Sequence, residues 1–248
     1  MSLNKTSIGW CSHTWNPSKG CRPVSPGCEN CYARTFAERF RGVPDHNFTN
    51  GFDFELKPDR LESPLRRRKP SKIFVGSVTD LFFEQTPDEY IAKVFETMTS
   101  ATQHTFMVLT KRTERLVDWV ENHLNVVPDN IWFGTSVENQ RYIYRIEHLA
   151  KIPAKIRFIS FEPLLGPVVV PDDLMRNIHW SIIGGETGHG ARRMEESWAL
   201  ELKDQCNRLE IPLFFKQWGE YDAQGRRVGS RRAGKELAGK SWLEFPQV

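Results

Sequence analysis

The sequence holds no apolar run approaching the roughly 18 consecutive residues of a membrane span, and its start, MSLNKTSIGW, carries no stretch of signal-peptide character. A cytoplasmic protein with no membrane partner is the expectation. Its seven histidines form no H-x-x-x-H pair, which argues against a histidine-metal hydrolase. A G-x-S-x-G elbow is absent, as are the G-x-G-x-x-G and P-loop patterns, so an α/β hydrolase and a phosphate-cradling nucleotide site are disfavoured. There is no internal repeat or low-complexity tract, and the net charge of +3 is too mild to establish a polyanionic partner.

What is present is an ordinary globular balance, 39% hydrophobic and 26% charged, which calls for a packed core. The 248 residues suit one large α/β domain, since single barrels run to about 250 residues. Short apolar runs at 73–76, 105–109, 131–134, 156–159, 180–183 and 212–215 read as strands. They alternate with segments of helical spacing at 88–101, 113–124, 138–149 and 195–209. An earlier strand near 7–11 and a helix over 32–40 bring the total to about seven strand–helix units. This rhythm predicts parallel strands with crossover helices, either a full or partial (β/α) TIM-type barrel or an open doubly wound sheet. Residues 1–219 form the expected single barrel domain. Residues 220–248, rich in Gly and Arg, form a basic tail expected to pack loosely.

In parallel α/β folds the active site lies at the C-terminal ends of the strands. The residues there are Ser77, Thr79 and Asp80; Thr110, Lys111 and Arg112; Thr135, Ser136 and Glu138; Ser160 and Glu162; Gly184, Gly185 and Glu186; and Lys216, Gln217 and Trp218. Ser77, Thr135 and Ser136 are also good helix caps. Charges recurring at six strand ends, however, need ligands or ion pairs to offset desolvation. Lys111, Glu138, Glu162, Glu186 and Lys216 are the candidate catalytic residues, suited to a zwitterionic, hydroxyl-bearing ligand. Ser77, Asp80, Lys111, Ser136, Glu138, Gly184 and Gly185 are the candidates for cofactor binding.

Five cysteines are present, and Cys11, Cys21, Cys28 and Cys31 fall within the first 31 residues. In a reducing compartment such clustering reads as metal or redox chemistry. Cys21, Cys28 and Cys31 form a C-x6-C-x2-C motif in a Gly- and Pro-rich loop that opens a helix. Three thiolates can hold three irons of a [4Fe-4S] cluster and leave the fourth iron open. Spacing alone equally allows a structural zinc completed by Cys11 or His13, in which case the chain would be a non-catalytic nucleic-acid-binding protein. Cys206 reads as a small buried hydrophobe. The eight tryptophans read mostly as core, with Trp15 and Trp218 placed to line a pocket. Two basic runs, 66–69 with Lys72 and a second from Arg226 to Lys240, could contact phosphates or lie solvated on loops.

Thr14-Trp15-Asn16-Pro17, Ser25-Pro26-Gly27-Cys28-Glu29-Asn30-Cys31-Tyr32-Ala33, Ser77-Val78-Thr79-Asp80-Leu81-Phe82 and Leu109-Thr110-Lys111-Arg112 occur in that order. Gly134-Thr135-Ser136-Val137-Glu138, Glu162-Pro163-Leu164-Leu165-Gly166-Pro167, Gly184-Gly185-Glu186 and Phe215-Lys216-Gln217-Trp218-Gly219 follow. Together they resemble a family of small phage and bacterial proteins named for a three-cysteine motif, itself similar to the radical S-adenosylmethionine (SAM) superfamily. The resemblance implies a partial TIM barrel, a [4Fe-4S] cluster on Cys21, Cys28 and Cys31, and SAM as cofactor. It also implies hydrogen abstraction from a substrate, with a nucleic-acid base or nucleotide as the class suggested, and a reductant protein such as flavodoxin or ferredoxin. Two features depart from the superfamily pattern. Its usual spacing is C-x3-C-x2-C, and its Gly-Gly-Glu normally follows the second strand rather than a late one.

Overall fold

The computed structural model describes residues 3–247. Two compact units are present, each assembled from separate stretches of chain. The first comprises the described residues up to Val24, with Cys31–Phe133 and Pro153–Lys155; the second comprises Ser25–Asn30, Gly134–Ile152 and the chain from Ile156 onward.

In the first unit β1 (Asn4–Lys5) pairs antiparallel with β2 (His13–Trp15). From there β2, β5 (Lys72–Val75) and β6 (Thr105–Thr110) run parallel, with Trp15 opposite Val75 and Val75 opposite Val108. A small ribbon of β3 (Ser18–Lys19) and β4 (Glu55–Leu56) lies apart from them. Helix α1 (Tyr32–Glu38) follows the cysteine loop, and α2 (Asp88–Ser100) and α3 (Thr113–His123) are the crossovers. In α2, Ile91, Val94, Phe95 and Met98 recur at helical spacing and are buried. The Phe95 ring packs 4.5 Å from Trp119 of α3 and 5.9 Å from Phe133.

In the second unit β8 (Arg157–Phe161), β9 (Trp180–Gly184) and β10 (Leu213–Gln217) are parallel. They are joined by α5 (Asp172–Met175) and α6 (Glu196–Arg208), while α4 (Tyr144–Ala150) precedes β8. Strand β7 (Ile131–Ser136) carries residues of both units. Every residue of β7 and of β9 is buried, as in parallel sheets covered on both faces.

The six strands expected from 73 to 215 are all present, within about two residues. Three other expectations are corrected. The run 7–11 turns instead of extending, with Cys11 N–H donating to the Ile8 carbonyl, and the strand begins at His13. The helix expected over 138–149 starts at Tyr144, because Asn139 accepts from the Arg141 N–H and caps a 3-10 turn over Gln140–Tyr142. The segment after 220 does not pack loosely. Leu237 and Trp242 are buried, β11 (Glu236–Leu237) pairs with β12 (Lys240–Ser241), and the Trp180 indole donates to the Glu244 carbonyl.

Candidate functional site

Because β2, β5 and β6 of the first unit run parallel, as do β8, β9 and β10 of the second, the C-terminal ends of each set lie on one edge of that unit, and the sequence-predicted residues sit there. In the first unit Asp80 follows β5. Its carboxylate accepts from Thr110 Oγ1 at 2.7 Å, from the Lys111 backbone N–H at 3.2 Å and from Arg112 Nη1 at 3.1 Å. Arg112 also donates to Glu84 and, at 2.9 Å, to the Arg22 carbonyl, next to Cys21. Burial alone would depress the Arg112 guanidinium, but Asp80 and Glu84 outweigh it and raise its pKa above the ordinary value, with a smaller contribution from Cys21.

The start of the cysteine loop is fixed by the same edge. Gly20 N–H donates to the Val78 carbonyl at 3.0 Å and its carbonyl accepts from Thr79 Oγ1 at 2.8 Å. Gly20 has φ +76°, and a Cβ there would stand 2.4 Å from the Phe52 carbonyl oxygen, so a side chain is excluded twice over. Beyond the loop, Tyr32 donates its hydroxyl to the Ser77 carbonyl. The Ser77 hydroxyl is engaged with the Asn16 amide. Cys21 and Cys31, both partly buried, flank one apolar cluster of Ala33, Ala37, Phe48 and Phe52.

In the second unit the stretch carrying Cys28 is held by two carboxylates. Glu138, past the end of β7, is fully buried and paired at 3.0 Å with Arg145 of α4, which also donates to the Ser136 carbonyl. Its other oxygen accepts from Ser25 Oγ at 2.5 Å. Glu186, past β9, accepts from the Arg192 side chain and backbone N–H and from Asn30 Nδ2 at 3.0 Å. Burial raises the Glu186 pKa, but the hydrogen bonds from Arg192 and Asn30 prevail and hold it below the ordinary carboxylate value. Arg192 itself donates to the Pro26 carbonyl and to Glu29, each at 2.8 Å.

A further pair lies between β8 and β10. Glu162 Oε1 stands 2.8 Å from Lys216 Nζ, with side chains 14% and 29% exposed, and the Ser160 hydroxyl donates to the other Glu162 oxygen at 3.2 Å. Gly184 makes room for this pair, since a Cβ there would fall 2.6 Å from Glu162 Oε1. The peptide between Glu162 and Pro163 is cis.

Sequence reasoning located these residues and missed Arg112, Arg145 and Arg192 as their partners. An acid followed six or seven residues later by an arginine, as in Glu186–Arg192 and Glu138–Arg145, was the available signal. Trp15 and Trp218 are the two tryptophans expected at a pocket wall. Both are buried, and their indoles donate to the Arg60 and Glu236 carbonyls. Cys206 is buried as expected, and burial pushes its thiol up to about 11. In the two basic runs Arg66, Arg68 and Lys69, and Arg226, Arg227, Arg231, Arg232, Lys235 and Lys240, are exposed. No helix among the described residues is long and apolar enough to cross a membrane.

None of the five cysteines is joined in a disulfide among the described residues. Among the described residues no three His, Cys, Asp or Glu side chains are gathered closely enough to hold a metal ion. The donors suit a metal–sulfur group by their chemistry and by their place on one eleven-residue stretch of chain, three partly buried cysteines without a disulfide.

The chain belongs to the family described as protein of unknown function (DUF5131), whose model matches residues 5–246. No curated protein matches it by sequence. Its fold is similar to that of spore photoproduct lyase. One structure of that enzyme, with a Tyr-to-Phe substitution, aligns at TM-score 0.50 and 12% identity, over 84% of this chain and 75% of that one. A second, with a Cys-to-Ser substitution, aligns at TM-score 0.50 and 12% identity over 84% and 76%. The fold class is thus α/β with a mostly parallel, partial-barrel sheet.

Proposed function

We propose that the chain is a radical SAM-like iron–sulfur enzyme, with Cys21, Cys28 and Cys31 holding a [4Fe-4S] cluster and SAM as its cofactor. One observation carries this reading. The polar groups at the strand ends are committed to the cysteine-bearing stretch, through Arg22, Ser25, Pro26, Glu29 and Asn30. Buried carboxylate–arginine pairs are expensive to desolvate, and here they fix a loop whose three thiols make no disulfide. A loop so held is preorganised to bind something through sulfur.

Cys21, Cys28 and Cys31 would hold such a cluster, which would supply the reducing chemistry for cleavage of SAM and hydrogen abstraction from a substrate. The chain's own residues divide into two groups. Asp80, Glu138 and Glu186, with their arginines, position the loop. Glu162 and Lys216 remain partly open and offer one carboxylate and one ammonium to an amino-acid-like moiety, which exchanges its own charges for those of the pair. Gly184, a candidate for cofactor binding, leaves space for the Glu162 carboxylate, and Gly185 lets the Trp218 carbonyl pack against it. Lys111 is the further cation at the β6 end, and Ser77 and Ser136 supply backbone carbonyls to Tyr32 and Arg145.

The electron enters from a reductant protein such as a flavodoxin or ferredoxin. A nucleic-acid base or nucleotide is the substrate class we assign, with the exposed basic runs providing salt-sensitive contact to phosphates.

The test is anaerobic reconstitution with iron and sulfide, reduction in the presence of SAM, and assay for 5′-deoxyadenosine in wild type and Cys28→Ala. Product from wild type alone supports the proposal. A colourless, zinc-loaded protein that leaves SAM intact would replace it with a non-catalytic zinc protein.

A further inference from the structure

The segment Ser25–Asn30 has almost nothing apolar to hold it. Its secondary structure is a three-residue 3-10 turn over Pro26–Cys28 with no buried residue. Its conformation therefore depends on polar ties: Ser25 donates to Glu138, Asn30 donates to Glu186 and to the Gly190 carbonyl, and the two ties that flank Cys28 lead to Arg192. Nη2 donates to the Pro26 carbonyl and Nη1 to the Glu29 carboxylate, so the guanidinium grips the chain two residues before Cys28 and one residue after it. Nε and the backbone N–H donate to Glu186 at 2.9 Å each. Glu186, with its side chain 4% exposed, also holds Asn30.

We propose that Arg192 is the positioning residue for Cys28. The assignment rests on the reading of Cys28 as a metal ligand. It exploits a property that only arginine has, a rigid planar fork of five donors that can serve a carboxylate, a second carboxylate and a carbonyl at once. A lysine in its place offers a single ammonium and satisfies only part of the set. Arg193, the adjacent residue, carries the same charge but pairs with Glu195 at 2.9 Å and is 42% exposed. It makes a matched control.

The probe is cobalt(II), titrated anaerobically into reduced, metal-free full-length protein, because thiolate-to-cobalt charge-transfer absorption reports sulfur ligation directly. Wild type, Cys28→Ala, Arg192→Gln, Arg192→Lys and Arg193→Gln are compared. Arg192→Gln should bind at least tenfold more weakly, with the reduced band of Cys28→Ala; Arg192→Lys should lie between, and Arg193→Gln should match wild type. In the metal-free protein, peptide-resolved alkylation should show Cys28 reacting several-fold faster in Arg192→Gln. Buried Cys206 should stay protected and so report that the fold is intact. A wild-type cobalt titration in Arg192→Gln overturns the assignment. If Arg192→Gln also exposes Cys206, Arg192→Lys decides, and an unchanged affinity there overturns it. Wild type and Cys28→Ala giving the same spectrum would instead remove Cys28 as a ligand, and with it the reading on which the assignment rests.

Discussion

Lys216 Nζ, within β10, stands 2.8 Å from Glu162 Oε1, just past β8, and neither side chain is sealed from solvent. Asp80, Glu138 and Glu186 are each gripped by an arginine. Glu162 therefore differs in having a flexible lysine as partner, which a ligand can displace. Glu162→Gln and Lys216→Met should each weaken SAM binding to the reconstituted protein on the order of 10–100-fold, the value of one charge-assisted hydrogen bond. Stability should change by less than about 1 kcal/mol, as for other partly exposed pairs. Isothermal titration beside thermal melts separates the two effects.

The adjacent glycines should respond differently to alanine. At Gly184 the added Cβ meets the Glu162 carboxylate at 2.6 Å, a side chain that can swing away. At Gly185 it meets the Trp218 carbonyl oxygen at 1.9 Å, which is backbone and cannot. Gly184→Ala is thus expected to fold and to bind SAM weakly, in the manner of Glu162→Gln. Gly185→Ala is expected to lose roughly 1–3 kcal/mol or more of stability by overpacking. Equal melting temperatures for the two variants would contradict this account.

These contrasts show what the sequence could and could not convey. Parallel β/α alternation leaves a clear apolar signature in runs such as Ile73–Val75 and Trp180–Ile183, so Asp80, Glu162 and Glu186 are assignable to strand ends from the order of residues alone. Their partners carry no such mark. Arg192 lies in a loop without periodicity, and Arg145 is a helix residue that is 1% exposed, where composition leads one to expect an apolar side chain. The delayed start of α4 has the same origin. Glu138 faces Arg145 from non-helical backbone, and a capped 3-10 turn intervenes. The C-terminal segment reads as loose because its Gly and Arg content masks Leu237 and Trp242, which are buried.

Acid should loosen the loop before it unfolds the rest. The pKa of Glu186 is held below its ordinary value of 4.5 by Arg192 and Asn30, despite the opposing effect of burial. A carboxyl depressed in the folded state contributes stability that is fully present above its unfolded pKa and is lost as pH falls through the folded one. Melting temperature should therefore decline below about pH 4.5, with contributions also from Glu38 and Asp172, whose arginine bonds bring both to about 2. The share due to Glu186 is the difference between wild type and Glu186→Gln, which should have the shallower slope. Parallel slopes in the two proteins would show that the Arg192 tie does not depend on ionisation.

Glu138 and Arg145 provide the sharpest division between holding a loop and touching a ligand. Their side chains are 0% and 1% exposed, and Arg145 further lies over the Tyr142 ring at 4.3 Å. Glu138→Gln leaves the guanidinium in the interior without its counter-charge, which typically costs about 3–5 kcal/mol, on the order of 10 °C in melting temperature for a chain of this size. Replacing both residues with apolar ones, Glu138→Leu with Arg145→Met, should recover much of that loss, since it is the unpaired charge that is costly rather than the missing bond. The double variant still lacks the carboxylate that accepts from Ser25 Oγ, so its metal uptake should remain impaired while its fold returns. Glu138→Gln that melts like wild type yet fails to produce 5′-deoxyadenosine would place Glu138 against the ligand instead, the role its position after β7 first suggested.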